Sequence, residues 1–192
     1  MKMQLRIVLL LALGAQVVYP AAIVAKRALG KTDVAEINNV RAELAAAAKI
    51  SNMHELSWDT DLEKKIQTAD CKSEPKGPFM VVVEPSQEMV AQLAKLPQEQ
   101  QGQIGKEMMK NALKAFFGPK QTRIGCAKPK CSDAAEACLI GPQTSVSEGD
   151  FTKGEPGSNC PNGKTSSGLC KYSTSTLSFA SVLLIVVSFL YI

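Results

Sequence analysis

Apolar residues return every three or four positions at Val34, Ile37, Val40, Leu44 and Ala48, a spacing that predicts an amphipathic helix. Asp33 with Glu36 three residues on gives it a capping-box-like start, and Ser51-Asn52 breaks it. A second helix is expected from Thr60, with Glu63 completing its cap. Leu62, Ile66 and Ala69 share one face, and the helix ends around Cys71. Pro75, Gly77 and Pro78 mark a turn, after which Phe79–Glu84 (FMVVVE) reads as a short buried strand. Ser86–Leu96 is helical in pattern and is interrupted by Pro97. A further helix is expected over Ile104–Phe117, ended by Gly118-Pro119. Thr122–Ala127 and Ala137–Ile140 read as two short strands bracketing a turn at Lys128-Pro129. Helices and strands mixed within about 110 residues make α+β the expected fold class. From Gly141 to Tyr172 the chain turns to Gly, Pro, Ser and Thr without periodicity, which reads as a stalk-like linker pinched by Cys160 and Cys170.

The two ends break the pattern in a different way. Lys2 and Arg6 precede the apolar stretch Ile7–Val18, and small residues follow at Ala21, Ala22 and Ala25. That order is a secretory signal peptide over residues 1–25; about 12 apolar residues are too few to span a bilayer needing roughly 20. Leu177–Ile192 is a 16-residue run without a charge. As a helix it would span about 24 Å, short of a hydrocarbon core of about 30 Å. Small residues upstream and an apolar tail are the pattern of glycosylphosphatidylinositol attachment, with a short single-span anchor as the alternative. A spacer of about 8–12 residues points to attachment at Ser166, Ser167 or Gly168, which would discard Cys170. Attachment at Ser173 keeps every cysteine but leaves almost no spacer.

Composition narrows the function classes. The 192-residue chain is 45% hydrophobic and 5% aromatic and carries a formal charge of +4. Outside Lys2 and Arg6 the balance is +2, too nearly neutral to suggest nucleic acid. Six cysteines, Cys71, Cys126, Cys131, Cys138, Cys160 and Cys170, follow a signal peptide, so disulfides are their expected state and spacing alone leaves 15 connectivities open. Zinc is disfavoured, because no paired C-x₂-C knuckle is present and no histidine lies near them. No Asn-x-Ser/Thr acceptor occurs. His54 is the chain's single histidine, which excludes a two-histidine metal or acid–base site, and it reads as a surface-loop residue. Trp58 reads as a core anchor with Asp59 helping to open the next helix. Met80, Met89, Met108 and Met109 read as core fillers. Gly163-Lys164-Thr165 lacks the glycine a phosphate loop requires, and Lys128–Lys130 reads as a solvated turn.

Ile37-Asn38-Asn39-Val40-Arg41, then Met53-His54-Glu55-Leu56-Ser57-Trp58-Asp59, then Leu62–Ala69 and Cys71 stand in a familiar order. They resemble the opening of the CAP superfamily (cysteine-rich secretory, antigen 5 and pathogenesis-related 1 proteins), in a short divergent form of the nematode type. Gln121–Ala127, Cys131 and Cys138-Leu139-Ile140-Gly141-Pro142 resemble that family's C-terminal strand, cysteines and Gly/Pro turn. Together the two blocks cover about 60 positions, over residues 34–71 and 121–142. The resemblance implies a reduced α–β–α sandwich stabilised by disulfides, with the pairs Cys71–Cys131, Cys126–Cys138 and Cys160–Cys170. The family's cleft tetrad of two histidines and two glutamates has no counterpart, and residues 72–121 are shorter than the family's middle section. No cation site, catalytic residue or cofactor therefore carries over.

The organisation expected from these readings is a signal peptide over 1–25, a CAP-like domain over 26–142, a linker over 143–176 and an apolar tail over 177–192. The expected function is a non-catalytic binding or interaction domain at the outer cell surface, with a protein or lipid ligand implied by the resemblance alone. A peptidase-like enzyme around His54 and a small disulfide-rich inhibitor presenting Lys128–Lys130 are the alternatives.

Overall fold

The computed structural model describes residues 29–70, 73, 75–130 and 136–172. The signal-peptide and C-terminal-tail readings fall on residues outside these, as do Cys71, Cys131 and Ser173.

Helix α1 (Val34–Ala48) runs along the apolar spacing and buries Val34, Ile37, Arg41 and Ala45. Its entry differs from the expected capping box. The Asp33 carboxylate reaches back to the Gly30 N–H at 2.7 Å, closing a 3-10 turn over Lys31–Asp33. Strand β1 (Ser57–Trp58) leads into α2 (Thr60–Gln67). Here Asp59, one residue before the expected Thr60, is the cap: its Oδ1 accepts from the N–H groups of Asp61 and Leu62. Strand β2 (Met80–Val83) is followed by α3 (Gln87–Leu93), whose Ser86 hydroxyl accepts from the Met89 N–H, and by α4 (Gln98–Phe117). Helix α4 begins six residues before its expected start. Gln98–Gln103 are exposed and polar all round, so they carry no apolar period to read. Strands β3 (Arg123–Ala127) and β4 (Ala137–Gly141) complete the set.

The sheet runs β1-β3-β4-β2, with β1 parallel to β3 and the other pairs antiparallel. Its two faces are covered by different helices, giving an α–β–α sandwich. Ile124, Cys126, Cys138 and Ile140 face Val34 and Ile37 of α1 and Ala115 and Phe116 of α4. Ala127, Ala137 and Leu139 face Leu62 and Ile66 of α2. Gly125 permits the close approach of α2, since a Cβ there would lie 2.4 Å from the Glu63 nitrogen and 2.6 Å from the Asp59 oxygen. Paired residues on β3 and β4 carry the disulfide Cys126–Cys138, and a second bond joins Cys160 to Cys170.

The expected linker beyond residue 142 is instead part of the folded unit as far as Tyr172, the last residue described. Phe151 and the fully buried Leu169 pack with Ala45, Ile50 and Met53 in a third apolar cluster. The segment is sewn to the first half of the chain through its backbone. Ser51 N–H donates to Thr152 O (2.8 Å), Cys170 N–H to Met53 O (2.7 Å) and Glu55 N–H to Cys170 O (3.0 Å). Pairing of this kind leaves no periodic trace in the sequence, which is why composition alone reads the segment as unstructured.

Candidate functional site

A cleft and a groove among the described residues differ in chemistry. The first is a polar cleft of about 470 Å³ lined by Asn52, His54, Lys120, Thr152, Ser158 and Asn159, with Cys160 and Pro161 at its edge. Asn38 and Arg41 hold the backbone on either side of His54. Asn38 brackets Leu56, donating from Nδ2 to its carbonyl and accepting its N–H at Oδ1, both at 2.8 Å. Arg41 is wholly buried, and its guanidinium donates to the carbonyls of His54, Phe116, Gly118 and Gln121. Burial pulls its pKa down to about 9, which leaves it charged at neutral pH. Four carbonyl dipoles take the place of a counter-ion and fix the turn after α4 against the turn after α1.

His54 sits on that turn, half-buried and held in place. Its Nδ1 lies 3.1 Å from both the Asn52 and the Pro119 carbonyl oxygens, which assigns the ring proton to Nδ1. Asn52 is occupied by the backbone of Asp150 and Thr152. Lys120 pairs with Asp150 at 3.2 Å. The Asp150 carboxyl is held below the usual carboxylate range, first by the Ser147 N–H, then by the Ser147 hydroxyl and Lys120. The polar groups of the cleft are thus largely committed to holding the C-terminal segment in place.

The second concavity is an apolar groove of about 550 Å³ between β2 and the α3–α4 pair. Leu29, Val82, Leu93, Met108, Ala112 and Phe116 are among the residues that line it. Its charged lining residues are Glu84 and Glu136, which face each other one step beyond the β2–β4 ladder, where the Glu84 N–H donates to Glu136 O at 2.8 Å. Burial and the neighbouring Glu84 raise the Glu136 pKa above its ordinary value. Val83 and Met109 of the groove lining, and Met89, Val90 and Ile104 on α3 and α4, are exposed over between 36% and 50% of their surface.

The residues singled out in the sequence divide between the regions. Trp58 is half-buried against the core, and its Nε1 donates to Glu63. Asp59 caps α2 and pairs with Arg123 at 3.2 Å. The methionine reading holds for Met80, which packs against the core, and needs correction for the rest: Met89 and Met109 are exposed and Met108 lines the groove, while Met53 is fully buried. Helix α4 extends past the sheet, so part of its apolar stripe has nothing to pack on. Ser166, Ser167 and Gly168 form a turn just before the buried Leu169 and Cys170. The acidic pair of the groove escapes sequence reasoning, since residues 84 and 136 become neighbours only through strand pairing. Among the described residues no three His, Cys, Asp or Glu side chains converge to hold a metal, and no helix is long and apolar enough to cross a membrane.

No protein-family model matches this sequence, and no curated protein does. Among solved structures the chain is similar to nematode proteins of the CAP, or venom allergen-like, kind. It is 20% identical to BmVAL-1, covering 74% of this chain and 94% of that one at a TM-score of 0.49. It is 21% identical to the hookworm platelet inhibitor over 70% and 83% of the two chains, with a TM-score of 0.45. With the Ancylostoma-secreted protein Ac-ASP-7 the identity is 15%, the shares 73% and 86%, and the TM-score 0.46. At such identities and scores the likeness is one of overall arrangement, and it brings no residue role, ligand or partner to this chain.

Proposed function

We propose that this protein is a reduced CAP-like binding domain of the extracellular or cell-surface environment, without catalytic activity. The apolar groove between β2 and α4 carries this reading. It is a concavity of the size small-molecule sites take, roughly 300–1,000 Å³, rimmed by exposed apolar side chains that a soluble surface otherwise avoids. The His54 cleft supports it from the other side. The Nδ1–H bonds to two carbonyls orient the ring and leave Nε2 as its basic nitrogen, but among the described residues no nucleophile or acid is bonded to Nε2, and the polar neighbours Asn52 and Lys120 are engaged with the C-terminal segment. The test is hydrolysis of peptide and ester substrates by the wild-type protein and by His54→Ala. Equal background rates are expected, and turnover that disappears with His54 would replace this reading with the enzyme.

Attachment to the outer membrane surface through Leu177–Ile192 belongs to the same proposal. Burial of Leu169 and the Cys160–Cys170 bond favour lipid attachment at Ser173 over Ser166, Ser167 or Gly168. Cleavage at the earlier positions would remove a core residue and half of a disulfide. Mass spectrometry of the C-terminal peptide from cell-derived protein tests this, with a lipid-bearing peptide ending at Ser173 expected. An intact peptide running through Ile192 would indicate a spanning anchor instead.

A further inference from the structure

We infer that the groove between β2 and α4 takes a single apolar chain ending in an ammonium group, with the chain along Val82, Met108 and Phe116 and the amine between Glu84 and Glu136. The inference rests on the binding role proposed above and assigns that role a ligand chemistry. Its ground is the placement of charge in an otherwise apolar site.

Strand β2 is an edge of the sheet, and its last pair with β4 is followed by Glu84 opposite Glu136. Like charges directly across a ladder destabilise the pairing. Both carboxylates line the groove, Glu84 exposed and Glu136 partly buried, and that burial together with the neighbouring Glu84 raises the Glu136 pKa. Among the described residues neither has a cationic partner within ion-pair distance. The lysines of α4 do not relieve them. Lys106, Lys110 and Lys114 line an adjoining shallow hollow that shares Gly105 and Met109 with the groove, and none of the three lines the groove itself or pairs with Glu84 or Glu136. A site that is apolar along its length and doubly anionic at one end discriminates by head group. An ammonium fits between the carboxylates and relieves their repulsion. A carboxylate or phosphate would add a third negative charge, and an alcohol would gain only hydrogen bonds.

Titration calorimetry of the whole protein with decylamine, decanol and decanoate, each below its micelle concentration, tests the assignment. The expected result is an amine affinity at least tenfold above the other two, with the preference lost in the Glu84→Gln/Glu136→Gln double variant. Binding of all three alike, or a preference that survives the double variant, overturns it. An Ala112→Trp variant, which fills the groove, separates this failure from that of the binding role. If all three chains bind the wild type and none binds Ala112→Trp, the groove is a binding site and the head-group assignment is wrong. If no chain binds, both fail.

Discussion

The sandwich has one end that is over-determined and one flank that is under-packed. At the first, Asn38, Arg41, Leu56, Met53, Leu169 and Cys170 are buried or bonded to partners more than ten residues away, and nearly every polar group has a stated job. At the second, α3 buries no residue at all and α4 buries only Ala115 and Phe116 at its last turn. The contrast teaches where to look for function. Asn38, Arg41, Met53 and Leu56 lie at the over-determined end, and their bonds and burial hold the fold. The apolar groove proposed above as the binding surface lies on the flank formed by the middle section.

The largest expected effect breaks the first region. Arg41→Met leaves the carbonyls of His54, Phe116 and Gln121 without their guanidinium donor, while the Gly118 carbonyl keeps the Gln121 N–H. A loss of about 3–5 kcal/mol is expected, because each unsatisfied buried acceptor costs about 1–3 kcal/mol and partial water entry recovers some of it. Arg41→Lys should fall between, since one ammonium cannot reach four carbonyls set around a planar fork. Urea denaturation measures both. A cost under about 1 kcal/mol for Arg41→Met would mean the two turns are held by something else.

Next in size is Leu169→Ala, at about 2–4 kcal/mol, the range for truncating a fully buried leucine. This variant separates a folded C-terminal segment from a linker, for which the same change would cost nothing measurable. Cys160→Ser/Cys170→Ser should cost about 2–3 kcal/mol through loop closure alone. If Leu169→Ala unfolds at the wild-type urea midpoint, the segment does not contribute to the core.

These two variants also mark the limit of what sequence shows. Helix α1, β3 and β4 were legible because burial imposes a period on Val34, Ile37, Ile124 and Ile140. The fold class followed from those elements, and Asn38 and Arg41 were visible as part of a familiar order. What they do was not visible, since a bond from residue 41 to residue 121 has no local signature. The segment 143–172 was misread for the same reason: its order comes from backbone pairing with residues 49–55 and from one cross-link. The first turns of α4 were missed because an exposed helix needs no apolar face. The groove was out of reach altogether, being assembled from residues 29, 81–85, 93, 105, 108, 109, 111, 112, 116, 136 and 138.

On the flank the expected sign reverses. Gly102 and Gly105 sit inside α4 with nothing within 4 Å of where a Cβ would stand. Replacing glycine by alanine in an exposed helix interior gains about 0.5–1 kcal/mol per site, so Gly102→Ala should stabilise by that much. Gly105→Ala should do the same while standing at the groove wall. If either destabilises, α4 bends or packs in a way that needs the missing side chain, and the flank is less open than described.

The smallest effect concerns the acidic pair. Burial and then Glu84 raise the Glu136 pKa in the folded protein, so folding disfavours its charged form. The sign follows from proton linkage. The contribution of Glu136 to stability is complete below its unfolded pKa and is lost as pH rises through the higher folded value. Glu136→Gln keeps the neutral shape at every pH. The variant should therefore match the wild type in acid and melt slightly higher at pH 7, and solvent screening at this mostly exposed carboxyl keeps the difference small. Melting curves from pH 3 to 8 measure it. A lower melting temperature for Glu136→Gln at pH 7 would mean that the negative charge is already satisfied in the free protein, and the groove would then have no unmet charge to offer a cationic ligand.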